Sequence, residues 1–364
     1  MPLRRSKVQI LVKWIFENQH KLQTVRHCSS SLRYKELEEA PAPAPHLAAL
    51  PPSAAPDPKP RPHITPEISF KLFEGLKAYR GVDDRIRLFR PELNMERMNL
   101  AAARSGLPTF SGEELVQCLQ RLVQIDQEWV PHSESATLYL RPTLIGTEAT
   151  FGVMAPGSAM LFAIMSPVSA YYKTSGDGAV SIYADPSVVR AFPGGVGNRK
   201  VGSNYGPTIE VTARAAKLGH HQVLWLFGPD HELTEVGAMN IFVVYINEHG
   251  DKQLSTPPLN GLILPGVTRR SILELASQWE DVTVKEEVIT MGKIIELNKK
   301  GRLLEMFGAG TAVVISPISR VGFLDREIHI PTMKQTQPVF QRCKDTLLAI
   351  QYGHVEHPFA KVIS

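Results

Sequence analysis

A chain of 364 residues, 43% of them hydrophobic, holds enough apolar material for a substantial core and suggests two domains. Lys and Arg number 40 against 36 Asp and Glu, and much of the small excess lies near the N-terminus; the near-neutral remainder argues against nucleic acid as the main partner. Cys28, Cys118 and Cys343 show no paired spacing, so neither a disulfide framework nor a zinc site is expected, and no apolar run approaches the ~18 residues of a membrane span.

Residues 1–33 differ from the rest, with seven Lys and Arg against the single acid Glu17, and a serine cluster. Val8, Leu11, Val12, Ile15 and Phe16 fall at helical spacing, so a helix here would carry one apolar and one basic face. Basic, amphipathic, serine-containing and acid-poor is the pattern of a mitochondrial transit peptide, and import into the mitochondrial matrix is expected, with a cytoplasmic location as the alternative. Residues 34–66 are dense in Pro and Ala and read as an extended linker.

Structured sequence begins near Ile68. SFKLFEGLKAYRG and RIRLFRP predict strands around a turn at residues 81–84. PELNMERMNLAAARSG predicts a helix with proline in its first turn, and EELVQCLQRLVQIDQEWV a second, amphipathic one. ATLYLRPTLIG and SAMLFAIMSPV read as strands. Residues 169–182 are rich in Gly and Ser and mark an interdomain connection. Beyond it, VLWLF, MNIFVVYI and AVVISPI are strand-like and RRSILELASQW is helical. Strands and helices mix without regular βαβ alternation, which predicts two α+β domains, a small one over 67–168 and a large one over 183–364.

Chemistry concentrates in four short stretches. GGVGNRKVGSNYGPT surrounds Lys200 with glycines and places Tyr205 five residues on. A nucleophilic lysine must lose its proton and approach a carbonyl closely, which sparse side-chain bulk and desolvation both favour; the plainer alternative is a surface lysine in a flexible loop. Glu235 lies just ahead of an apolar run, where burial would demand a cationic partner, or it is the turn residue of an exposed hairpin. Gly266, Val267 and Thr268 open a helix, whose N-terminus is either a phosphate site or plainly capped. Gly308, Gly310 and Thr311 precede a strand as a second loop that could offer backbone donors. A lysine, a tyrosine, a carboxylate and two phosphate-type loops are the parts that pyridoxal 5′-phosphate needs.

LFEGLKAYRG, RLFRPELNMERM, LYLRPTLIGTE, GGVGNRKVGSNYGPT, QVLWLFGPDHELTEVGAMNIFV, TPPLNGLILPGV and IHIPTM together resemble the branched-chain amino-acid aminotransferases, fold type IV pyridoxal-phosphate enzymes, from about Leu72 to Tyr352. The resemblance implies that Lys200 is the catalytic residue and forms the Schiff base with the cofactor. It implies Glu235 at the pyridine nitrogen, Tyr205 at the ring oxygen, and Arg97, Val267, Thr268 and Thr311 at the phosphate. Phe73, Tyr139, Arg141, Tyr171 and Ala312 would shape the substrate pocket, and Phe151 and Val153 would reach in from the other subunit of a homodimer. The implied reaction is reversible amino transfer from leucine, isoleucine or valine to 2-oxoglutarate.

The chain departs from the family pattern at several points. Pro-rich sequence replaces small-domain strands ahead of LFEG, so the small domain is expected to be truncated. Ile68 replaces a pocket tyrosine, Ala238 replaces a threonine, and Val313 and Ser316 stand where vertebrate members carry a redox Cys-x-x-Cys. A cofactor-binding homologue with weak or no turnover is therefore a second reading. Another type IV chemistry, such as aminodeoxychorismate lysis or D-amino-acid transamination, is a third, which the EVGAMN and NYGPT stretches disfavour.

Overall fold

The computed structural model describes residues 9–17, 71–148, 153–169 and 178–363. The linker over 34–66, Ile68, Phe151, Tyr171 and Cys28 lie outside the described residues.

The first sheet is antiparallel throughout. Its strands are β1 (Gln9–Glu17), β2 (Lys71–Phe73), β3 (Leu76–Arg80), β4 (Ile86–Phe89), then β5 (Thr137–Gly146) and β6 (Ser158–Val168). They run β1-β6-β5-β3-β4, with β2 on β5. Between β4 and β5 come helices α1 (Pro91–Arg104) and α2 (Gly112–Ile125). Pro91 fits the first turn of α1, where its missing N–H costs nothing. Ser111 caps α2 by accepting from the Glu114 N–H at 3.2 Å. Leu115, Leu119, Leu122 and Val123 of α2 and Met95 and Met98 of α1 bury themselves against Leu76, Leu88, Leu138 and Leu140 of the sheet.

Residues 9–17 correct the sequence-based expectation of a helix. They pair antiparallel with β6, Gln9 opposite Met165 and Glu17 opposite Ser158, with an irregularity between Leu11 and Trp14. QILVKWIFE is rich in β-branched and aromatic residues, so it satisfies strand preference as readily as helical spacing. The unpaired edge of β6 decides between them.

The second sheet starts with β7 (Val180–Ala184), inside the stretch expected to connect the domains. It continues through helix α3 (Thr208–Lys217) to β8 (Gln222–Phe227), β9 (Glu232–Val236), β10 (Met239–Ile246) and β11 (Lys252–Thr256). Helix α4 (Val267–Ala276), β12 (Thr283–Glu286), helix α5 (Met291–Lys299), β13 (Leu303–Gly310), β14 (Val314–Phe323) and β15 (Arg326–His329) follow. Strand order is β12-β11-β10-β13-β14-β7-β8-β9, and β9 also pairs β10, so the strands from β10 to β9 close into a ring. Val180, Leu224, Val236, Ile241, Met306 and Val321 fill one of its faces. On the other face, Phe242 stacks on Phe307 at 5.1 Å, under α4 and helix α6 (Val339–Gln351). The chain then returns: β16 (Ala360–Val362) pairs antiparallel with β4 and joins the C-terminus to the first sheet. Tyr79 and Phe89 of the first sheet belong to the same buried cluster as Phe242 and Phe307, so the seam between the sheets is packed and the cavity along it has firm walls.

Candidate active site

A cavity of about 300 Å³ opens along that seam. Phe73, Arg97, Tyr139 and Arg141 reach it from the first sheet and α1; Lys200, Tyr205, Glu235, Val267, Thr268, Thr311 and Ala312 reach it from the remainder. Eleven residues singled out from sequence thus share one cavity. Val153 does not line it: it is 85% exposed on the surface.

Lys200 lies within the glycine-rich stretch, between Gly197 and Gly202. Gly197 is required there, since a Cβ would lie 2.4 Å from Ala191 Cβ and 2.6 Å from the Leu262 carbonyl. The backbone beside it is tied to the first sheet, with the Phe73 N–H donating to the Lys200 carbonyl at 3.1 Å. The amine donates toward the Tyr205 hydroxyl at 3.4 Å and sits 5.0 Å from the Phe73 ring centroid. Burial, reinforced by the nearby Arg97 and Arg141 cations, pulls its pKa from 10.5 down to about 8. A surface lysine would show no such shift. Burial and the Glu235 charge push the Tyr205 phenol up to about 12, so the phenol keeps its proton.

Glu235 sits on β9, 2% exposed, in the interior rather than at an exposed turn. Its cationic partner within the chain is Arg190, which donates to Oε2 at 3.1 Å, both side chains almost fully enclosed. Oε1 accepts from the Leu264 N–H at 2.8 Å and from Asn240 Nδ2 at 3.4 Å. Burial pushes the Glu235 carboxyl above its usual range, while Arg190 and the Leu264 N–H pull it back.

Arg97 projects from α1. Its Nε and Nη2 donate to the two oxygens of Glu74 at 2.7 and 2.8 Å, and Nη1 donates to the Pro265 carbonyl at 2.9 Å. The next residue, Gly266, is the N-cap of α4 with no side chain capping it. Its Cβ position is closed by Asn240 Oδ1 at 2.0 Å, so only glycine fits. Val267 and Thr268 line the cavity, and helix geometry leaves first-turn N–H groups without intrahelical partners. Gly308 and Gly310, expected in a loop, belong to β13, and Thr311 opens the turn to β14. Ala312 offers its carbonyl to Lys77 Nζ at 2.7 Å.

Arg141 donates from Nη2 to the Tyr139 hydroxyl at 3.0 Å, and its guanidinium lies 4.9 Å from the Phe73 centroid. Its Nε is buried with no hydrogen-bond partner, a donor waiting for an acceptor. Gly75 makes room for this wall, since a Cβ there would fall 1.8 Å from the Tyr139 hydroxyl. Ala238 borders the cavity at the β9–β10 turn.

Sequence reasoning missed Arg190, Asn240 and Glu74. No local pattern marks Arg190, whereas the buried Glu235 did signal that some cation must face it. The residues fit pyridoxal 5′-phosphate. A desolvated amine answers the aldehyde and a buried carboxylate the ring nitrogen. An arginine with an uncapped helix N-terminus answers the phosphate.

Residues 71–321 match the family Amino-transferase class IV. The chain is 51% identical over 286 residues to the cytosolic branched-chain-amino-acid aminotransferase of Mus musculus, covering 79% of this chain and 74% of that one. It is 51% identical over 289 residues to the mitochondrial enzyme of Bos taurus, with the same coverage. Among solved structures, the branched-chain aminotransferase of Thermoproteus uzoniensis aligns over 81% of this chain and 90% of its own at TM-score 0.66 and 24% identity. The holo-form enzyme of Thermobaculum terrenum aligns over 81% and 89% at TM-score 0.66 and 19% identity. Fold, site and sequence agree: the chain belongs to the class IV aminotransferases, in the branched-chain-amino-acid aminotransferase family.

Proposed function

We propose that this protein is a working pyridoxal-phosphate-dependent aminotransferase that moves the amino group of leucine, isoleucine or valine to 2-oxoglutarate. The observation that carries the reading is the enclosed Lys200 amine, with its pKa near 8, in one cavity with Glu235, Arg97 and the α4 N-terminus. Such an amine is neutral in a useful fraction near physiological pH and can attack a carbonyl.

In this reading Lys200 would hold the cofactor and would take a proton from the substrate α carbon. Glu235, held by Arg190 and the Leu264 N–H, faces the pyridine nitrogen. The Tyr205 hydroxyl holds the ring oxygen. Arg97, the N–H groups of Val267 and Thr268, and Thr311 hold the phosphate. When bound, pyridoxal 5′-phosphate supplies an electron sink for the bonds at the substrate α carbon. Phe73 and Tyr139 wall the substrate side, and the spare Nε of Arg141 suits a substrate carboxylate. Ala312 completes the wall. Val153, with its neighbour Met154 at 57% exposure, supports a homodimer in which Val153 of one protomer completes the cavity of the other. The small domain is taken as 67–168 and the cofactor-binding domain as 183–364.

A leucine/2-oxoglutarate assay on purified protein tests the proposal, with glutamate formation as the readout. Uptake of the cofactor without glutamate would favour the second reading, a cofactor-binding homologue with little turnover, which Ala238 at the cavity rim supports.

The basic start of the chain supports delivery to the mitochondrial matrix, and relatives of both mitochondrial and cytosolic kinds resemble this chain. The pairing of β1 with β6 favours retention of residues 9–17 and the cytoplasmic alternative. A fluorescent fusion of residues 1–40 decides: mitochondrial signal supports import, and diffuse signal refutes it.

A further inference from the structure

Glu74 opens the β2–β3 connection and is fully buried. A carboxylate at 0% exposure is costly unless each oxygen is satisfied. Here Oε1 accepts from Arg97 Nε at 2.7 Å. Oε2 accepts from Arg97 Nη2 at 2.8 Å, Asn94 Nδ2 at 2.8 Å and the Gly75 N–H at 3.1 Å. Asn94 and Arg97 are three residues apart on α1 and so share one helix face. Opposite charges at this distance hold the Glu74 carboxyl below its usual range, despite the burial that opposes ionisation.

The consequence for Arg97 is geometric. A guanidinium carries five N–H donors in a rigid plane. Glu74 takes the edge formed by Nε and Nη2, and the Pro265 carbonyl takes one hydrogen of Nη1. Two hydrogens remain, one on each terminal nitrogen. Arg97 lines the cavity beside Gly266, Val267 and Thr268. A fork grip on one edge therefore restricts the last side-chain torsions and leaves one free donor on each terminal nitrogen.

We propose that Glu74 is the positioning residue of the phosphate site: its carboxylate clamps Arg97 so that the remaining guanidinium donors are presented to a phosphate at the α4 N-terminus. The inference rests on the cofactor reading given above. Glu74 does not line the cavity and reaches the phosphate site through Arg97. Its charge also favours the protonated Lys200 amine, an effect common to both ligands, so the role at the phosphate is read from the preference for the phosphorylated compound.

The test compares cofactor-free wild type with Glu74→Gln, Glu74→Asp, Arg97→Met and Glu74→Gln/Arg97→Met. Each is titrated by absorbance with pyridoxal 5′-phosphate and with pyridoxal, and melted without ligand to establish that it is folded. Glu74→Gln keeps shape but loses charge, and should weaken pyridoxal 5′-phosphate relative to pyridoxal on the order of tenfold or more. In the Arg97→Met background the same change should have no further effect on the preference between the two compounds. Glu74→Asp keeps the charge but is one methylene too short to hold both nitrogens in place, and should lower the preference for the phosphorylated compound about threefold or more. That variant decides the matter if Glu74→Gln fails to fold. An unchanged preference in the folded variants, which includes equal weakening of both compounds, or a change of preference that persists without Arg97 overturns the inference. Wild-type protein that takes up neither compound overturns the cofactor reading, and this inference with it.

Discussion

Arg190→Met removes the cation that faces Glu235 and is the most informative single change in the site. The two groups are 3.1 Å apart, with side chains 2% and 3% exposed, so solvent screens them little. At an effective dielectric of 20 their gross attraction is about 5 kcal/mol. Removing one partner of a buried pair costs ~3–5 kcal/mol because the other charge is left uncompensated. Arg190 also donates to the carbonyls of Leu262 at 3.2 Å and Gly197 at 3.3 Å, which orient the lysine loop. Methionine keeps most of the volume, so cavity formation adds little. Urea unfolding of cofactor-free protein should therefore show a loss of ~3–5 kcal/mol near neutral pH. The dependence on pH has a definite sign. Burial already raises the folded-state pKa of Glu235 above 4.5, and without Arg190 it rises further. The folded state then binds more protons than the unfolded one, so stability is lost as pH climbs from 4.5 through the raised value. The penalty of Arg190→Met should thus shrink in acid. Arg190→Met/Glu235→Gln should recover a large part of it by removing the stranded charge. A double variant as unstable as the single one, or a pH-independent penalty, would refute the pairing as the cause.

Lys200→Ala should abolish transamination and covalent cofactor uptake, and wild-type uptake should quicken with pH through an inflection near 8, where the amine loses its proton; an inflection near 10 would sink the desolvation argument. Mild peroxide should leave activity unchanged and not reversible by thiols. Val313 and Ser316 cannot form a disulfide, and burial raises the Cys343 thiol so that thiolate is scarce; a reductant-reversible loss of activity refutes this. Ala238→Thr adds a hydroxyl at the cavity rim and should raise kcat/KM for leucine about tenfold, the worth of one hydrogen bond to a charged group. No change would show that the rim does not meet the substrate.

What local sequence could determine was periodicity, turn chemistry and the residue types that covalent chemistry needs. α1 and α2 begin within a residue or so of where proline and the apolar spacing put them, and β5, β6, β8 and β10 follow their strand-like runs. Lys200, Glu235 and the opening of α4 stood out because each carries its signal within a few positions. The resemblance extended that to the rest of the site. Residues 9–17 mark the limit, since QILVKWIFE meets helical spacing and strand preference together, and a short segment cannot choose between them. The neighbouring edge of β6, some 150 positions away, chooses. β16 likewise depends on β4, across most of the chain. The electrostatics were least visible. Arg190 finds Glu235 from 45 positions away and Glu74 finds Arg97 from the other end of a strand–helix unit. Buried charges are satisfied by whatever the fold brings within about 3 Å, and sequence spacing carries no record of that distance.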